Sequence, residues 1–230
     1  MRRIAAPILA LAALSACDPT GNVVTFDTSH VRYAAFVYDV GGGLNVSSEG
    51  VALTSGLTYG NQSAYTDVGI DTLFFAVTRS SDAFLLGSDT LVAALDAKYT
   101  MYMLGTIGNF RPLIAPDDTV LSAAGTLKLR VVHGVRSDSV IGFDLYFTTP
   151  SADIGAISPN LASLSYGAAS PYVSLDTAAR RLRVTRAGLK TIELDTTFAA
   201  TVADSQVITI VAADQPGGGR RLQRVVDKAP

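Results

Sequence analysis

The feature that most constrains this chain is an internal echo. Leu57-Thr58-Tyr59-Gly60 returns as Leu164-Ser165-Tyr166-Gly167, an offset of 107 residues. Tyr65 is answered by Tyr172 at the same offset, and Val77-Thr78-Arg79 recurs as Val184-Thr185-Arg186. Self-similarity at the length of one small domain is the signature of a duplicated unit. The expected organisation is therefore two tandem copies of one domain, the first over 23–118 and the second over 126–230, joined by a linker at 119–125. Ala115-Pro116-Asp117-Asp118 closes the first unit with residues that suit a connection.

Within each unit, short apolar runs alternate with turn residues. Val31 to Tyr38 is aromatic and β-branched and stops at Gly41-Gly42-Gly43. Leu73 to Thr78, Lys98 to Leu104 and Phe110 to Ile114 follow in the same style, and Leu127 to His133 and Ile141 to Phe147 open the second unit. The last hairpin runs Val207 to Ala212, turns at 214–219, and returns over Arg221 to Val226. Such spacing predicts an all-β fold: two immunoglobulin-like or transthyretin-like antiparallel β-sandwiches. Only 90–97 and 196–203 compete as helices, and the threonines of the second favour strand or loop.

The N-terminus reads as an address. Met1-Arg2-Arg3 precedes an apolar run from Ile4 to Leu14, too short for a bilayer span of about 20 residues but suited to a signal peptide. The run ends in Leu14-Ser15-Ala16-Cys17, which resembles a bacterial lipobox. The resemblance implies a signal peptide over 1–16, lipidation of Cys17, a tether over 17–22, and a lipid-anchored protein of the cell envelope facing the periplasm or exterior. Cys17 is the single cysteine, so no intramolecular disulfide forms and stability rests on the cores.

A second resemblance lies in Arg130-Val131-Val132-His133-Gly134 followed by Phe143-Asp144-Leu145-Tyr146. This resembles the opening of the bacterial domain-of-unknown-function family 4397, whose pattern runs Arg-Val-Val-His, then Val-Asp-Val-Tyr. The chain has Val135-Arg136-Ser137-Asp138 in place of that family's Ser-Pro-Asp-Ala-Pro loop, and Arg32-Tyr33-Ala34-Ala35 at the matching place in the first unit. The resemblance implies tandem β-sandwiches in exported proteins and carries no activity.

Little in the sequence selects a catalyst. The two histidines are His30 and His133; the latter is near Ser137 and Asp138, yet no Gly-x-Ser-x-Gly elbow is present. A histidine bonded at a strand end is the simpler reading. Asp-Thr pairs recur ahead of strands, where aspartate caps turns. Asp117 and Asp118 with Asp39 or Asp214 would be the carboxylates of a calcium site, but no Asp-x-Asp-x-Asp-Gly loop accompanies them. No cofactor and no metal are implied.

Charge is the most informative polar feature. Residues 18–118 carry 11 acidic and 4 basic side chains, and residues from 119 onward carry 9 acidic and 12 basic. Arg181, Arg183 and Arg186, with Arg221 and Arg224, would make one basic face if the final hairpin joined their sheet. Its partner would be an anionic envelope polymer, lipid headgroups or a protein; the alternative is a solvated face that protects sheet edges. With 20 acidic against 18 basic residues overall, nucleic acid is a poor partner. The tyrosines of the echo suggest either a sugar-stacking platform or fold-keeping bonds to turns. The expected function is a non-catalytic binding or structural module anchored in the envelope by lipid. The rival is an envelope hydrolase acting on glycan or peptide through paired carboxylates, and a third reading is an architectural spacer.

Overall fold

The computed structural model describes residues 27–176, 181–198 and 205–228. The lipobox, with Cys17, lies outside them, as do Arg180 and most of 196–203. The chain is all-β. Eight strands form the first half: β1 (Thr28–Val37), β2 (Leu44–Ser48), β3 (Val51–Leu57), β4 (Thr66–Gly69), β5 (Thr72–Arg79), β6 (Leu85–Val92), β7 (Lys98–Thr106) and β8 (Asn109–Pro116). Eight more form the second: β9 (Thr126–Gly134), β10 (Phe143–Thr148), β11 (Leu161–Leu164), β12 (Val173–Asp176), β13 (Arg181–Arg186), β14 (Ile192–Thr197), β15 (Val207–Asp214) and β16 (Arg220–Lys228). Among the described residues the one helical piece is a 3-10 turn at Arg136–Asp138, and 90–97 continues β6 before turning back.

Each half is a sandwich of two four-stranded sheets. The first packs β4-β1-β7-β8 on β3-β2-β5-β6, and the second packs β12-β9-β15-β16 on β11-β10-β13-β14. Pairing is antiparallel except for one central pair in each half, β1 with β7 and β9 with β15, which run parallel. Tyr33, Leu44, Phe75, Val77 and Met101 fill the first core; Leu129, Phe143, Leu145, Val184 and Ile210 fill the second.

The central strands are buried on both faces. The sheets β4-β1-β7-β8 and β12-β9-β15-β16 lie back to back, and a third apolar cluster of Ala34, Phe36, Tyr102, Leu104, Val132, Val211 and Ala213 fills the seam between them. This explains why β15 reads Val-Ile-Thr-Ile-Val-Ala-Ala with every position buried: a strand covered on both sides has no wet face to alternate with. The same holds for β9, where Leu127, Leu129 and Val131 face the core. The outward residues Arg130 and Val132 point into the seam, and both are buried.

Candidate functional site: the seam between the halves

Burying an arginine in a sheet costs several kcal/mol unless its charge and its hydrogen bonds are answered. The seam holds two, Arg32 on β1 and Arg130 on β9, at 3% and 2% exposure. Each is answered by the other half. Arg32 Nη2 donates to Asp227 and its Nη1 donates to the Val226 carbonyl at 2.7 Å. Arg130 Nη2 donates to Asp117 at 2.5 Å and its Nη1 to the Pro116 carbonyl at 2.6 Å. Each Nε donates to a threonine of its own sheet at 2.7 Å, Thr100 for Arg32 and Thr209 for Arg130.

The carboxylates are closed off in the same reciprocal way. Asp117 accepts from Tyr65 and Thr100, both at 2.6 Å; Asp227 accepts from Tyr172 at 2.8 Å and Thr209 at 2.7 Å. Arg32 lies over the Tyr65 ring at 4.9 Å and Arg130 over the Tyr172 ring at 4.7 Å. Each of these bonds has a counterpart on the other side; Arg130 Nη2 alone makes one more, to the Tyr102 hydroxyl at 2.9 Å. Burial pushes the Tyr65 and Tyr172 phenols well above their ordinary range, so both remain donors. Burial also raises Asp227, helped by Asp117 and opposed by Arg130 and Arg32. Burial alone would lower both guanidinium pKa values, but the surrounding carboxylates and tyrosines outweigh it and hold them raised.

The echoed Leu-x-Tyr-Gly segments flank this network. Tyr59 donates to the Asp214 carbonyl at 2.5 Å, edges onto Phe36, and lies beneath Arg221 of the other half at 5.0 Å. Gly60 and Gly167 both have positive φ, +80° and +71°, and each faces an arginine from the opposite half. A Cβ on Gly60 would strike the Arg221 guanidinium, and one on Gly167 would lie 2.7 Å from Arg111 Nε. Glycine is needed there twice over, for the backbone and for the approach. Tyr59, Tyr65 and Tyr172 thus serve the seam rather than a sugar platform, and Tyr166 packs edge-on to His133 at 5.8 Å.

The arginines read as one basic face do not share a face. β13 carries Arg181, Arg183 and Arg186, whereas β16 carries Arg221 and Arg224 in a different sheet. The final hairpin pairs with β9, because the parallel β9–β15 ladder takes it to the seam. Arg181 pairs with Asp195, its Nε at 2.9 Å from the carboxylate, and its Nη1 donates to the Pro150 carbonyl at 2.7 Å. Arg183 is buried and donates to Thr148 and to the same carbonyl, so the 149–160 connection is clasped against that face. Arg186 joins Asp138 at 3.0 Å and Glu193 at 3.5 Å. Arg221 is stacked on Tyr59, and Arg224 donates to Gln206 at 2.8 Å with its pKa lowered by burial.

The remaining polar candidates are held in separate places. Asp117 is sealed, Asp118 pairs with Lys128 at 2.8 Å, Asp39 accepts from the Ile107 amide, and Asp214 accepts from Ser137. The carboxylates suggested for calcium therefore do not converge: each has its own partner, and among the described residues no group of three or more metal-ligating side chains forms. His30 pairs with Asp67 at 2.7 Å. His133 is buried and stacked on Phe143 at 3.8 Å, and its Nε2 lies 3.2 Å from the Ile141 carbonyl. Burial lowers its pKa, against the pull of that carbonyl and of Asp138, so the imidazole is neutral. Ser137 is turned to Asp214, away from any histidine-activated geometry.

Sequence reasoning missed the Arg–Asp–Thr quartets. A signal was present: an arginine inside an otherwise apolar strand start, in both halves. It was hidden because the matching residues sit at different offsets, 98 for the arginines, 107 for the tyrosines, 109 for the threonines and 110 for the aspartates.

No curated protein sequence matches the chain. Among solved structures it is similar to a carbohydrate-binding module of family CBM26 from Eubacterium rectale Amy13K, solved in complex with maltoheptaose. That match has 11% identity and a TM-score of 0.26, and covers 88% of this chain and 98% of that one. A streptococcal virulence factor described by its alpha-glucan binding matches at 11% identity and a TM-score of 0.23, over 80% and 92% of the two chains. Scores of this size carry nothing about a ligand. Of the family motif read from the sequence, Arg130 to Gly134 lies on β9 inside the family-model match and Phe143 to Tyr146 lies on β10 beyond it; the match covers the first half and the opening of the second. Residues 29–140, just under half of the chain, match the family model described as Domain of unknown function (DUF4397).

Proposed function

We propose that the chain is a non-catalytic envelope module, lipid-anchored through Cys17, in which two copies of one β-sandwich unit are fused back to back into a single body that binds or holds a partner. The observation that carries the reading is the reciprocal seam. The paired carboxylates that a hydrolase would need exist in Asp117 and Asp227, and Asp227 even has a raised pKa. Both side chains, however, are at 0% exposure and each accepts from an arginine, a tyrosine and a threonine. No substrate reaches them without parting the halves. Carboxylates spent in this way are structural, and what is left for function is the outer surface.

The lipid anchor rests on the N-terminal sequence: a charged start, a short apolar run and Leu-Ser-Ala-Cys. Detergent phase partition of the full chain tests it, because Cys17→Ala should move the protein from the detergent to the aqueous phase. Retention in the detergent phase by Cys17→Ala would remove the anchor. The module reading is tested by affinity recovery from envelope extract, beside turnover assays with Asp117→Asn and Asp227→Asn. A recovered partner with no hydrolysis supports the module; glycan or peptide cleavage lost in these variants would establish the hydrolase.

A further inference from the structure

The seam is reciprocal at its centre and lopsided at one end, and the difference leaves a recess. In the first half β7 ends at Thr106 and β8 begins at Asn109, a tight turn. In the second, β15 ends at Asp214 and β16 begins at Arg220, so the hairpin carries the additional loop Gln215-Pro216-Gly217-Gly218-Gly219. On the tight side Arg136 reaches across the seam to Asn109 Oδ1 at 3.1 Å. On the loop side is Tyr38, which matches Arg136 at the 98-residue offset of Arg32 and Arg130, and a recess of about 360 Å³ is lined by Tyr38, Ser137, Asp214, Gln215, Gly218, Gly219 and Arg220.

The chemistry of that lining is specific. Asp214 is buried and fixed by Ser137, whose amide and hydroxyl donate to its two oxygens at 3.1 and 2.7 Å, so each oxygen keeps acceptor capacity. The Tyr38 hydroxyl and the Gln215 side-chain amide make no hydrogen bond among the described residues and offer both donors and acceptors, whereas the Gln215 backbone is bonded to Gly218 and Gly219. The three glycines all have positive φ, from +82° to +99°, and nothing crowds Gly217 or Gly218, so the loop backbone is open to an approaching group. Arg220, the one cation of the lining, is outnumbered by the carboxylates on it: its Nη1 meets Asp138 at 2.8 Å and Glu193 at 2.9 Å. With Asp214 present, the recess repels anions. Fixed acceptors beside free hydroxyl and amide groups, with an aromatic ring in a space of one-ring size, suit an uncharged polyol.

We propose that this recess binds a neutral sugar residue of a glycan, with Asp214 accepting from sugar hydroxyls and Tyr38 covering one ring face. The proposal deepens the module reading and rests on it. It also places the contact surface at the seam end, where both halves contribute, rather than on the arginines.

The test is saturation-transfer and amide-shift NMR on the full chain in detergent, with glucose, galactose, mannose and N-acetylglucosamine as probes and glucuronate and calcium as controls. At least one neutral sugar should show transfer at millimolar concentration and shift the amides of 217–219. Asp214→Asn should weaken it by about tenfold, the worth of one hydrogen bond to a charged acceptor. Tyr38→Ala should abolish transfer from the ring protons. Deletion of 216–218, which shortens the loop toward the turn of the first half, gives a second variant that leaves the seam network untouched. The proposal is overturned by silence from all four sugars, by equal binding in the variants, or by preference for glucuronate or calcium. A partner recovered from envelope extract equally by wild type and Asp214→Asn would sink this site and leave the module reading standing.

Discussion

Arg32 and Arg130 show how a charge is kept inside a β fold. Each guanidinium meets a carboxylate, a carbonyl and a threonine, and each carboxylate is closed by a tyrosine and a threonine. Removing one partner of such a buried pair leaves the other uncompensated, at a cost of about 3–5 kcal/mol. Arg130→Met should therefore lower unfolding free energy by that amount in denaturant titration. The double variant Arg130→Met with Asp117→Leu should lose clearly less than the sum of the single changes.

His133 is the titrating residue with the clearest sign. Its folded pKa is below its ordinary value of 6.5, so the unfolded chain binds the proton more readily. Its contribution is complete above about pH 6.5 and is lost as pH falls below that value, at up to about 1.4 kcal/mol per pH unit. His133→Gln should be less stable at neutral pH and show a shallower loss of stability from pH 7 to pH 5, read by thermal unfolding across buffers. Asp227 acts in the opposite sense: its raised pKa favours the protonated folded state, so its contribution declines as pH rises from about 4 through the raised value. An Asp227→Asn series over the same range separates the two.

At the scale of elements, the strands were readable and the partners of their outer faces were not. Apolar runs bounded by turn residues located β1, β5, β7, β8, β9, β10, β15 and β16, because strand formation is written in local pattern. What a sheet's second face meets is decided by residues far away in the chain. The uninterrupted burial of β15 signals a covered face, yet nothing near β15 says that the cover is β1 and β7. For the same reason the sequence cannot tell that Arg183 is buried while Arg181 stays partly exposed, with both donating to the Pro150 carbonyl. The Tyr-Gly echo was legible as sequence and its purpose only as structure. Gly60→Ala and Gly167→Ala should each destabilise by about 1–3 kcal/mol, because a Cβ is strained at positive φ and meets an arginine of the other half. Ala at Gly217, where φ is also positive but nothing lies near, should cost less, and paired melting curves would show the order.

On the scale of the whole molecule, the seam makes two sandwiches into one body. The apolar cluster of Phe36, Tyr102, Leu104, Val132 and Val211 supplies attraction without direction, and the Arg–Asp quartets fix register, since a slip of one residue would bury four unpaired charges. The acidic first half and basic second half were visible as a sum of charges, but the charges at the seam neutralise each other locally, so the sums did not point to a surface. The recess beside Tyr38 and Asp214 lies where the closing hairpins of the two halves differ, a tight turn in the first and a glycine-rich loop in the second. Differential scanning calorimetry of the full chain tests the central claim most directly, beside the Asp117→Asn, Asp227→Asn double variant. One cooperative transition in the wild type, resolving into two lower ones in the variant, is the predicted result. Two independent transitions in the wild type, or an unchanged single transition in the variant, would contradict it.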